Sequence, residues 1–277
     1  MQVEHLVLKN FNGRRFEATF YGLQDNPNLC VRQRPLIIVI PGGSFDHLAL
    51  REGEPVALAY AARGYNAAVL SYNLVQEGVI YPDAALSGLT LLKYFKDHAE
   101  KYRIDPEKIV TIGFSAGGHV ASMINVFAVN AAFGQKYHFD GLALKPAATI
   151  LGYPLIDIDK IGFELTEDQR SFLPKEAILR NSAVGVTEQT PPTFLFHAWD
   201  DPVVLITNAL SYLTALQEKG VLCEAHLFDR GGHGYSLGLP EMVTKGRAWQ
   251  DNPHISHWLE LSLEWLGHVL PESETEA

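Results

Sequence analysis

The sequence predicts an α/β fold: an eight-stranded, mostly parallel sheet with helices packed on both faces. Short runs rich in valine and isoleucine alternate with longer helical patterns, which is typical of successive β-α-β units. The later runs are apolar nearly throughout, as expected of strands that are buried on both faces. The chain starts instead with two alternating segments joined through Asn12-Gly13, which predicts an antiparallel hairpin at the N-terminus.

The individual elements follow from these patterns. Strands are predicted at 3–8, 15–21, 36–40, 67–70, 109–114, 148–151, 193–197 and 224–228. Helices are predicted at 55–63, 82–102, 116–133, 203–219 and 254–270. Gly64 and Gly220 suit the left-handed position that ends a helix, and Pro82 suits a first helical turn.

One domain over residues 1–270 is the simplest organisation. The segment 157–185 is more polar and irregular than the rest, and we predict that it is an insertion over one end of the sheet. The acidic tail 271–277 has no large apolar side chain to bury, so we expect it to be disordered.

Composition excludes several classes of partner. The 277 residues carry a formal net charge of −10 without a cluster of Lys and Arg, so we expect no nucleic-acid partner. No apolar run approaches the roughly 20 residues that cross a bilayer, so we expect no membrane partner. The N-terminus lacks a signal-peptide pattern, and Cys30 and Cys223 are expected to be reduced thiols, both of which favour a cytoplasmic protein. A homo-oligomer is left open.

The segment Gly113-Phe-Ser115-Ala-Gly117 carries the main chemical signal. It falls between a strand rich in β-branched residues and a helix rich in small residues. Gly-x-Ser-x-Gly in that setting is the pattern of a nucleophilic serine on a tight strand-to-helix turn. The start of the helix would supply N–H groups and a positive dipole where an oxyanion forms.

Three further segments end predicted strands. In Pro41-Gly-Gly-Ser-Phe45 a glycine pair frees the backbone to turn its N–H groups into a cavity, as an oxyanion hole requires. Asp200 and Asp201 follow the strand at 193–197, and either carboxylate could orient an imidazole. His233 follows the last strand in Gly-Gly-His-Gly, a loop setting that suits a general base. The order Ser, Asp, His is the one used by hydrolases of this kind.

These motifs resemble the α/β-hydrolase superfamily over nearly the whole chain, and more closely the carboxylesterases of the hormone-sensitive-lipase-like and BD-FAE groups, which include acetyl esterases and acetylxylan-esterase-like proteins. The resemblance lies in the four segments just described and in residues 103–109, which lead into the strand before the serine. The serine segment extends through Gly118-His119, and the aspartate segment extends through Pro202-Val-Val204. It implies an α/β-hydrolase fold, no metal and no cofactor. Pro41 stands where the esterases place a histidine, which weakens the assignment of the oxyanion donors.

The resemblance implies a Ser115, Asp201, His233 triad, with Asp200 as the rival acid. The oxyanion hole would be formed by the N–H groups of Ala116 and of Gly43 or Ser44. We therefore predict a serine carboxylesterase acting on small esters, acetyl to butyryl because the sequence shows no long apolar lid, with acetylated carbohydrates as plausible substrates. The alternatives are an arylformamidase-type amide hydrolase and a ligand-binding protein that has lost catalysis.

Several other residues are interpreted as structural. His119 lies four residues after the serine, so it either packs beneath the site or lines the pocket. His197 is expected to hydrogen-bond locally, and His254 and His257 lack a third zinc ligand at suitable spacing. We interpret Trp249, Trp258 and Trp265 as residues of a helix that packs on the sheet rather than as a sugar platform.

Overall fold

The computed structural model describes residues 1–24 and 33–270 of the chain. Cys30 and the predicted acidic tail lie outside the described residues. The strands are β1 (Gln2–Lys9), β2 (Arg15–Gly22), β3 (Arg34–Ile40), β4 (Asn66–Ser71), β5 (Ile104–Phe114), β6 (Ala148–Gly152), β7 (Thr193–Ala198) and β8 (Cys223–Phe228). The helices are α1 (Glu54–Ala61), α2 (Asp83–Asp97), α3 (Ala99–Tyr102), α4 (Ala116–Val129), α5 (Ala131–Tyr137), α6 (Glu167–Ser171), α7 (Ala177–Arg180), α8 (Thr207–Glu218) and α9 (Trp258–Val269).

The eight strands form one sheet in the order β1-β2-β4-β3-β5-β6-β7-β8. β1 pairs with β2, and β2 with β4, in antiparallel register, while every pair from β4 to β8 is parallel. The predicted sheet with its N-terminal antiparallel hairpin is therefore confirmed. Because the parallel strands share one direction, their carboxyl ends, and the loops that carry the predicted site, meet at one edge.

Helices cover both faces of the sheet, and the alternation within each strand decides which core a residue joins. On β3, Ile38 and Ile40 pack in the core with α2, α4 and α8, whereas Ile37 and Val39 pack in the core with α1 and α9. This period of two is the geometry of a strand that is buried on both sides.

Several predicted helix boundaries were wrong. The helix predicted at 82–102 is interrupted at His98, and the one predicted at 116–133 ends at Val129. There the Asn130 side chain accepts the N–H of Ala132 and starts α5 at an angle of 88° to α4. The helix predicted at 254–270 begins at Trp258, after a single 3₁₀ turn at Ile255–His257.

The helix predicted from 203 begins at Thr207 instead. The residues before it form the corner after β7, where the N–H groups of Val203 and Val204 donate to the Asp201 carboxylate. The predicted insertion 157–185 contains α6, α7 and a 3₁₀ turn at Ser182–Gly185, and it is tied to this corner by a bridge between Ile161 and Val204.

No single helix in the described ranges is both long and apolar enough to cross a membrane. Helices α4 and α5 reach that length and apolar composition only when they are counted together, and the chain bends by 88° between them.

Candidate active site

Ser115 occupies the sharp turn between β5 and α4, at an interior strand of the sheet. Its backbone has φ 52° and ψ −120°, a combination that a non-glycine residue adopts only under strain. The turn is held on both sides, since the Ser115 N–H donates to the Gly152 carbonyl and its own carbonyl accepts the N–H of Leu155. This backbone projects the serine side chain out of the turn, as a nucleophile requires.

The flanking glycines are explained by close packing. A Cβ on Gly113 would lie 2.3 Å from the Gly117 carbonyl oxygen, and a Cβ on Gly117 would lie 2.1 Å from the carbonyl oxygen of Ile40. Neither contact is feasible, so the turn closes only when both positions lack a side chain. The glycine spacing in the sequence therefore has a steric cause at this turn.

The three predicted triad residues come together although they lie far apart in the chain. Ser115 Oγ is 2.8 Å from Nε2 of His233, and Nδ1 of His233 is 2.7 Å from Oδ2 of Asp201. The Asp201 side chain is fully buried, and that of His233 is 14% exposed. The geometry fits an imidazole whose Nδ1–H donates to the aspartate, which leaves Nε2 to accept the serine proton.

Asp201 is held as an ionised carboxylate. Burial by itself would raise its pKa, but hydrogen bonds from His197 and His233, with their charges, outweigh burial and lower the pKa to about 2. Its other oxygen accepts the N–H groups of Val203 at 2.8 Å and Val204 at 2.9 Å. The carboxylate therefore stays charged and fixed across the neutral pH range.

His197 contributes more than the sequence indicated. Its Nε2 lies 2.9 Å from the Val204 carbonyl oxygen, which is the predicted local contact, and also 3.2 Å from Oδ2 of Asp201. The ring is fully buried. Oδ2 of Asp201 therefore has two histidine neighbours, His233 and His197. The only sequence signal for the second contact was the position of His197, four residues before Asp201.

Asp200 contacts the loop that carries His233 at a different point from Asp201. Its Oδ1 accepts the N–H groups of Gly231 at 2.8 Å and Gly232 at 2.9 Å. Asp200 therefore holds the backbone immediately before His233, while Asp201 contacts the imidazole. The geometry favours Asp201 over its neighbour as the triad acid.

The loop after β3 carries the predicted oxyanion donors. Gly43 has φ 123°, and Ser44 and Phe45 also have positive φ. Within the described part of the chain, the N–H groups of Gly43, Ser44 and Ala116 all lack a hydrogen-bond acceptor, so this property does not separate the two upstream candidates. Ser44 and Ala116 line the cavity at Ser115, and Gly43 does not. Of the two upstream donors left open by the sequence, the position of Ser44 therefore fits better.

A buried glutamate, which no sequence motif indicated, links this loop to the loop that carries His233. Glu52 is 2% exposed, and its Oε2 accepts the Gly42 N–H at 2.9 Å. Its Oε1 accepts the hydroxyl of Tyr153 at 2.9 Å. The Tyr153 hydroxyl in turn accepts the N–H of Ser236, and its ring meets that of His233 edge-on with centroids 5.1 Å apart.

A cavity of about 260 Å³ opens beside Ser115 and has a mostly apolar wall. Part of the wall comes from the predicted insertion, whose apolar side chains here are Ile158, Ile161, Phe163, Leu165, Phe172 and Leu173. Val203 and Val204, which follow Asp201 in the chain, complete that side. The apolar lining suits the hydrocarbon part of an acyl group.

His119, His254 and His257 do not line the cavity beside Ser115. His119 is fully buried, its Nδ1 is 2.6 Å from the Tyr81 hydroxyl, and burial lowers its pKa to about 4. His254 and His257 fall at the 3₁₀ turn before α9. Among the residues that the structure describes, no three His, Cys, Asp or Glu side chains are grouped so as to hold a metal ion.

The interpretation of the tryptophans was wrong at one position. Trp258 and Trp265 are buried on α9, as expected of residues that pack on the sheet. Trp249 instead lies in the 3₁₀ turn Ala248–Gln250, is 50% exposed and lines a cavity next to His233. The three tryptophans had been grouped on one helix, but Pro253 falls between Trp249 and α9 and separates them.

Fold and site together define an α/β-hydrolase: a mostly parallel sheet, a strained serine after an interior strand, and an imidazole from the loop after the last strand. Comparison with known proteins gives the family. The BD-FAE family model matches residues 26–216, and the chain belongs to that family.

Similar proteins are named as ester or xylan hydrolases. An endo-1,4-β-xylanase B from Butyrivibrio fibrisolvens is 29% identical over 76% of this chain and 34% of its own length. An acetylxylan esterase from Xylanibacter ruminicola is 27% identical over 73% of this chain and 41% of its own length. The chain thus spans less than half of these two curated relatives. A solved carboxylesterase from Lactobacillus plantarum WCFS1 is 30% identical, covers 99% of this chain and 100% of its own, and superposes with a TM-score of 0.92.

Proposed function

We propose that this chain is a serine carboxylesterase that hydrolyses short-chain acyl esters, acetyl to butyryl, with acetylated carbohydrates among its substrates. The observation that carries the proposal is the continuous path of short contacts from Ser115 Oγ to His233 and on to Asp201, at 2.8 and 2.7 Å. Relatives named as carboxylesterase and acetylxylan esterase support the reaction class.

The reaction proceeds in two acyl-transfer steps. Nε2 of His233 takes the hydroxyl proton of Ser115 as its oxygen attacks the ester carbonyl carbon. The oxyanion is stabilised by the N–H groups of Ser44 and Ala116, and Asp201 stabilises the imidazolium. The C–O bond to the alcohol breaks as the imidazolium protonates the leaving oxygen. Water, deprotonated by His233, then attacks the acyl carbon, and the bond from that carbon to Ser115 Oγ breaks as the imidazolium returns the proton to Oγ, which releases the carboxylic acid and free Ser115.

The preference for short acyl chains rests on the size of the cavity at Ser115. The sequence argument relied on the absence of an apolar lid, yet segment 157–185 contributes an apolar wall. The support for short chains is therefore the volume of about 260 Å³, which is below the usual range of pockets for drug-sized ligands. A small neutral ester as partner and a cytoplasmic location belong to the same proposal.

Hydrolysis of a series of p-nitrophenyl esters tests the proposal. The wild-type chain should turn over acetate and butyrate faster than decanoate, and Ser115→Ala should lower kcat by about 10⁴-fold or more. N-formylkynurenine is assayed alongside to separate an arylformamidase from an esterase. Ser115→Ala with wild-type turnover, a decanoate preference, or faster cleavage of N-formylkynurenine would each overturn the corresponding part of the proposal.

A further inference from the structure

The triad carboxylate has a histidine neighbour that the proposed mechanism does not use. Nε2 of His197 lies 3.2 Å from Oδ2 of Asp201, the oxygen that also faces Nδ1 of His233 at 2.7 Å. Oδ1 of the same carboxylate accepts the N–H groups of Val203 and Val204. Both oxygens of the triad acid are thus held from two sides, and the contact with His197 has no assigned task.

The surroundings of the His197 ring indicate which of its nitrogens carries a proton. Nε2 also lies 2.9 Å from the carbonyl oxygen of Val204, an atom that can only accept. Nε2 therefore carries a hydrogen and shares it between that carbonyl and Oδ2 of Asp201. Nδ1 is buried and has no hydrogen-bond partner among the described residues, so a hydrogen there would lack an acceptor. The ring is thus a hydrogen-bond donor to the triad acid.

This donor is built into the framework of the sheet. His197 lies on β7, and its ring is fully buried. Val204, which shares its hydrogen bond, forms an antiparallel bridge with Ile161 of the insertion. A buried strand therefore holds the orientation of Oδ2 in Asp201 directly, together with the corner whose N–H groups hold Oδ1.

A second donor at Oδ2 has an electrostatic consequence. Each hydrogen bond that a carboxylate accepts stabilises its negative charge, so the carboxylate attracts the imidazolium of His233 less strongly than it would with one donor. The neutral imidazole is favoured as a result, and only the neutral ring can take the Ser115 proton. The contact from His197 should therefore extend the active pH range on its acid side.

We propose that His197 is a positioning residue of the esterase, whose Nε2–H orients Oδ2 of Asp201 and keeps the enzyme active at lower pH by limiting the attraction of the carboxylate for the imidazolium. This inference rests on the proposed function and deepens the account of its site. His197 acts through Asp201 rather than on the ester.

Other titratable and charged groups lie around Asp201 and His233 on several elements. They are Asp200 in the corner after β7, Tyr153 after β6, Arg51 and Glu52 before α1, Arg230 and Tyr235 in the loop that carries His233, and Arg247 and Asp251 beyond that loop. A substitution of His197 changes none of these groups. A change in the pH profile of such a variant therefore reports on the Nε2 donor.

The pH profile of kcat/KM for p-nitrophenyl acetate tests the proposal. His197→Leu removes the donor, and the acid limb should move to higher pH by about 0.5–1 pH unit, the equivalent of one ordinary hydrogen bond. His197→Gln can place an amide N–H near the position of Nε2, so its limb should stay within about 0.3 pH unit of wild type. Each variant is checked for a native circular dichroism spectrum across the pH range.

His119→Leu is the matched control. It removes another fully buried histidine, whose ring nitrogens contact the Tyr81 hydroxyl and the Arg180 carbonyl oxygen. This variant should lose stability without moving the acid limb. An acid limb that is unmoved or moves to lower pH in His197→Leu would overturn the proposal, as would an equal shift in His197→Gln or in His119→Leu.

Nitrogen NMR of wild-type protein labelled in its histidine rings adds a test that needs neither a variant nor turnover. Nε2 of His197 should carry a proton, and a spectrum in which it carries none would overturn the proposal. Loss of all Ser115-dependent ester hydrolysis would instead overturn the proposed function. The NMR measurement distinguishes the two failures, because it reports on the contact between His197 and Asp201 whether or not the chain is an esterase.

Discussion

Asp200 and Asp201 are consecutive in the chain, yet their carboxylates hold the histidine loop at two different points. Asp201 Oδ2 lies 2.7 Å from the imidazole of His233, while Asp200 Oδ1 accepts the N–H groups of Gly231 and Gly232 just before it. One carboxylate thus sets the tautomer of the ring, and the other fixes the backbone that carries it. The two positions should respond differently to the same substitution.

Asp201→Asn should lower kcat by about 10³- to 10⁴-fold, because an amide cannot stabilise the imidazolium and favours the wrong tautomer. Asp200→Asn should change kcat far less, since the amide oxygen still accepts both backbone N–H groups. Steady-state kinetics of the two variants with p-nitrophenyl acetate makes the comparison. A larger loss in Asp200→Asn than in Asp201→Asn would assign the triad acid to Asp200.

Acid should destabilise the fold through Asp201. Its pKa is about 2 when folded against an ordinary 3.8, so the folded chain binds this proton more weakly than the unfolded chain. The resulting stability, about 2 kcal/mol, is fully present above about pH 4 and is lost as the pH falls through about 2. The free energies of unfolding of wild type and Asp201→Asn are measured in urea at several pH values, and the difference between them should become smaller as the pH falls over that range. A gap independent of pH would contradict the depressed pKa.

Glu52→Gln should lower kcat by about tenfold or more and leave KM within about twofold. The amide has one acceptor oxygen, so it cannot accept both the Gly42 N–H and the Tyr153 hydroxyl on separate oxygens as the carboxylate does. The free energy of unfolding should also fall, by about 1–3 kcal/mol. Glu54→Gln, at an exposed position two residues later, is the control for both measurements.

A structural role for Glu52 predicts a different pattern. In that case the variant loses stability, but the folded fraction keeps its full kcat. The rate of fluorophosphonate labelling at a temperature where the variant is folded decides between the two. A wild-type rate would remove Glu52 from the positioning of the site.

Ile158→Ala should shift the acyl preference towards longer chains. Ile158 is 3% exposed and lines the cavity beside Ser115, so the truncation adds room for methylene groups. The ratio of kcat/KM for octanoate to that for acetate should rise about tenfold, and the ratio is independent of the fraction of folded enzyme. Leu222→Ala, at a position that is 59% exposed, should leave the ratio unchanged. An unchanged ratio in Ile158→Ala would place the acyl chain elsewhere.

Local sequence patterns predicted the strands of this fold and its serine turn. The strands could be predicted because each is a mainly apolar run or an alternation of apolar and polar residues, and the serine turn because its glycines are required sterically at fixed spacing. Helix ends were predicted less well. The helix expected from 203 starts at Thr207 because the carbonyl groups of Val203 and Val204, which would accept the first helical N–H groups, are used by the Gly162 N–H and by Nε2 of His197, contacts that depend on tertiary structure.

Long-range contacts outside the triad motifs could not be predicted from the sequence. Glu52 lies in an ordinary charged turn, and only the folded chain brings it to Gly42 and to Tyr153, a residue 101 positions away. Trp249 was grouped with Trp258 and Trp265 as a residue of a helix that packs on the sheet, although Pro253 marked a break before that helix. The pair of aspartates was visible, but their different partners depend on how the corner after β7 meets the last loop.

Covalent labelling of the nucleophile tests the central claim most directly, namely that Ser115 is activated by His233 and Asp201. The wild-type chain is treated with a fluorophosphonate, digested and analysed by mass spectrometry. The account predicts one adduct, on the peptide that contains Ser115, which is absent in Ser115→Ala and forms much more slowly in His233→Gln. An adduct on another serine, or labelling that is unchanged in Ser115→Ala, would contradict it.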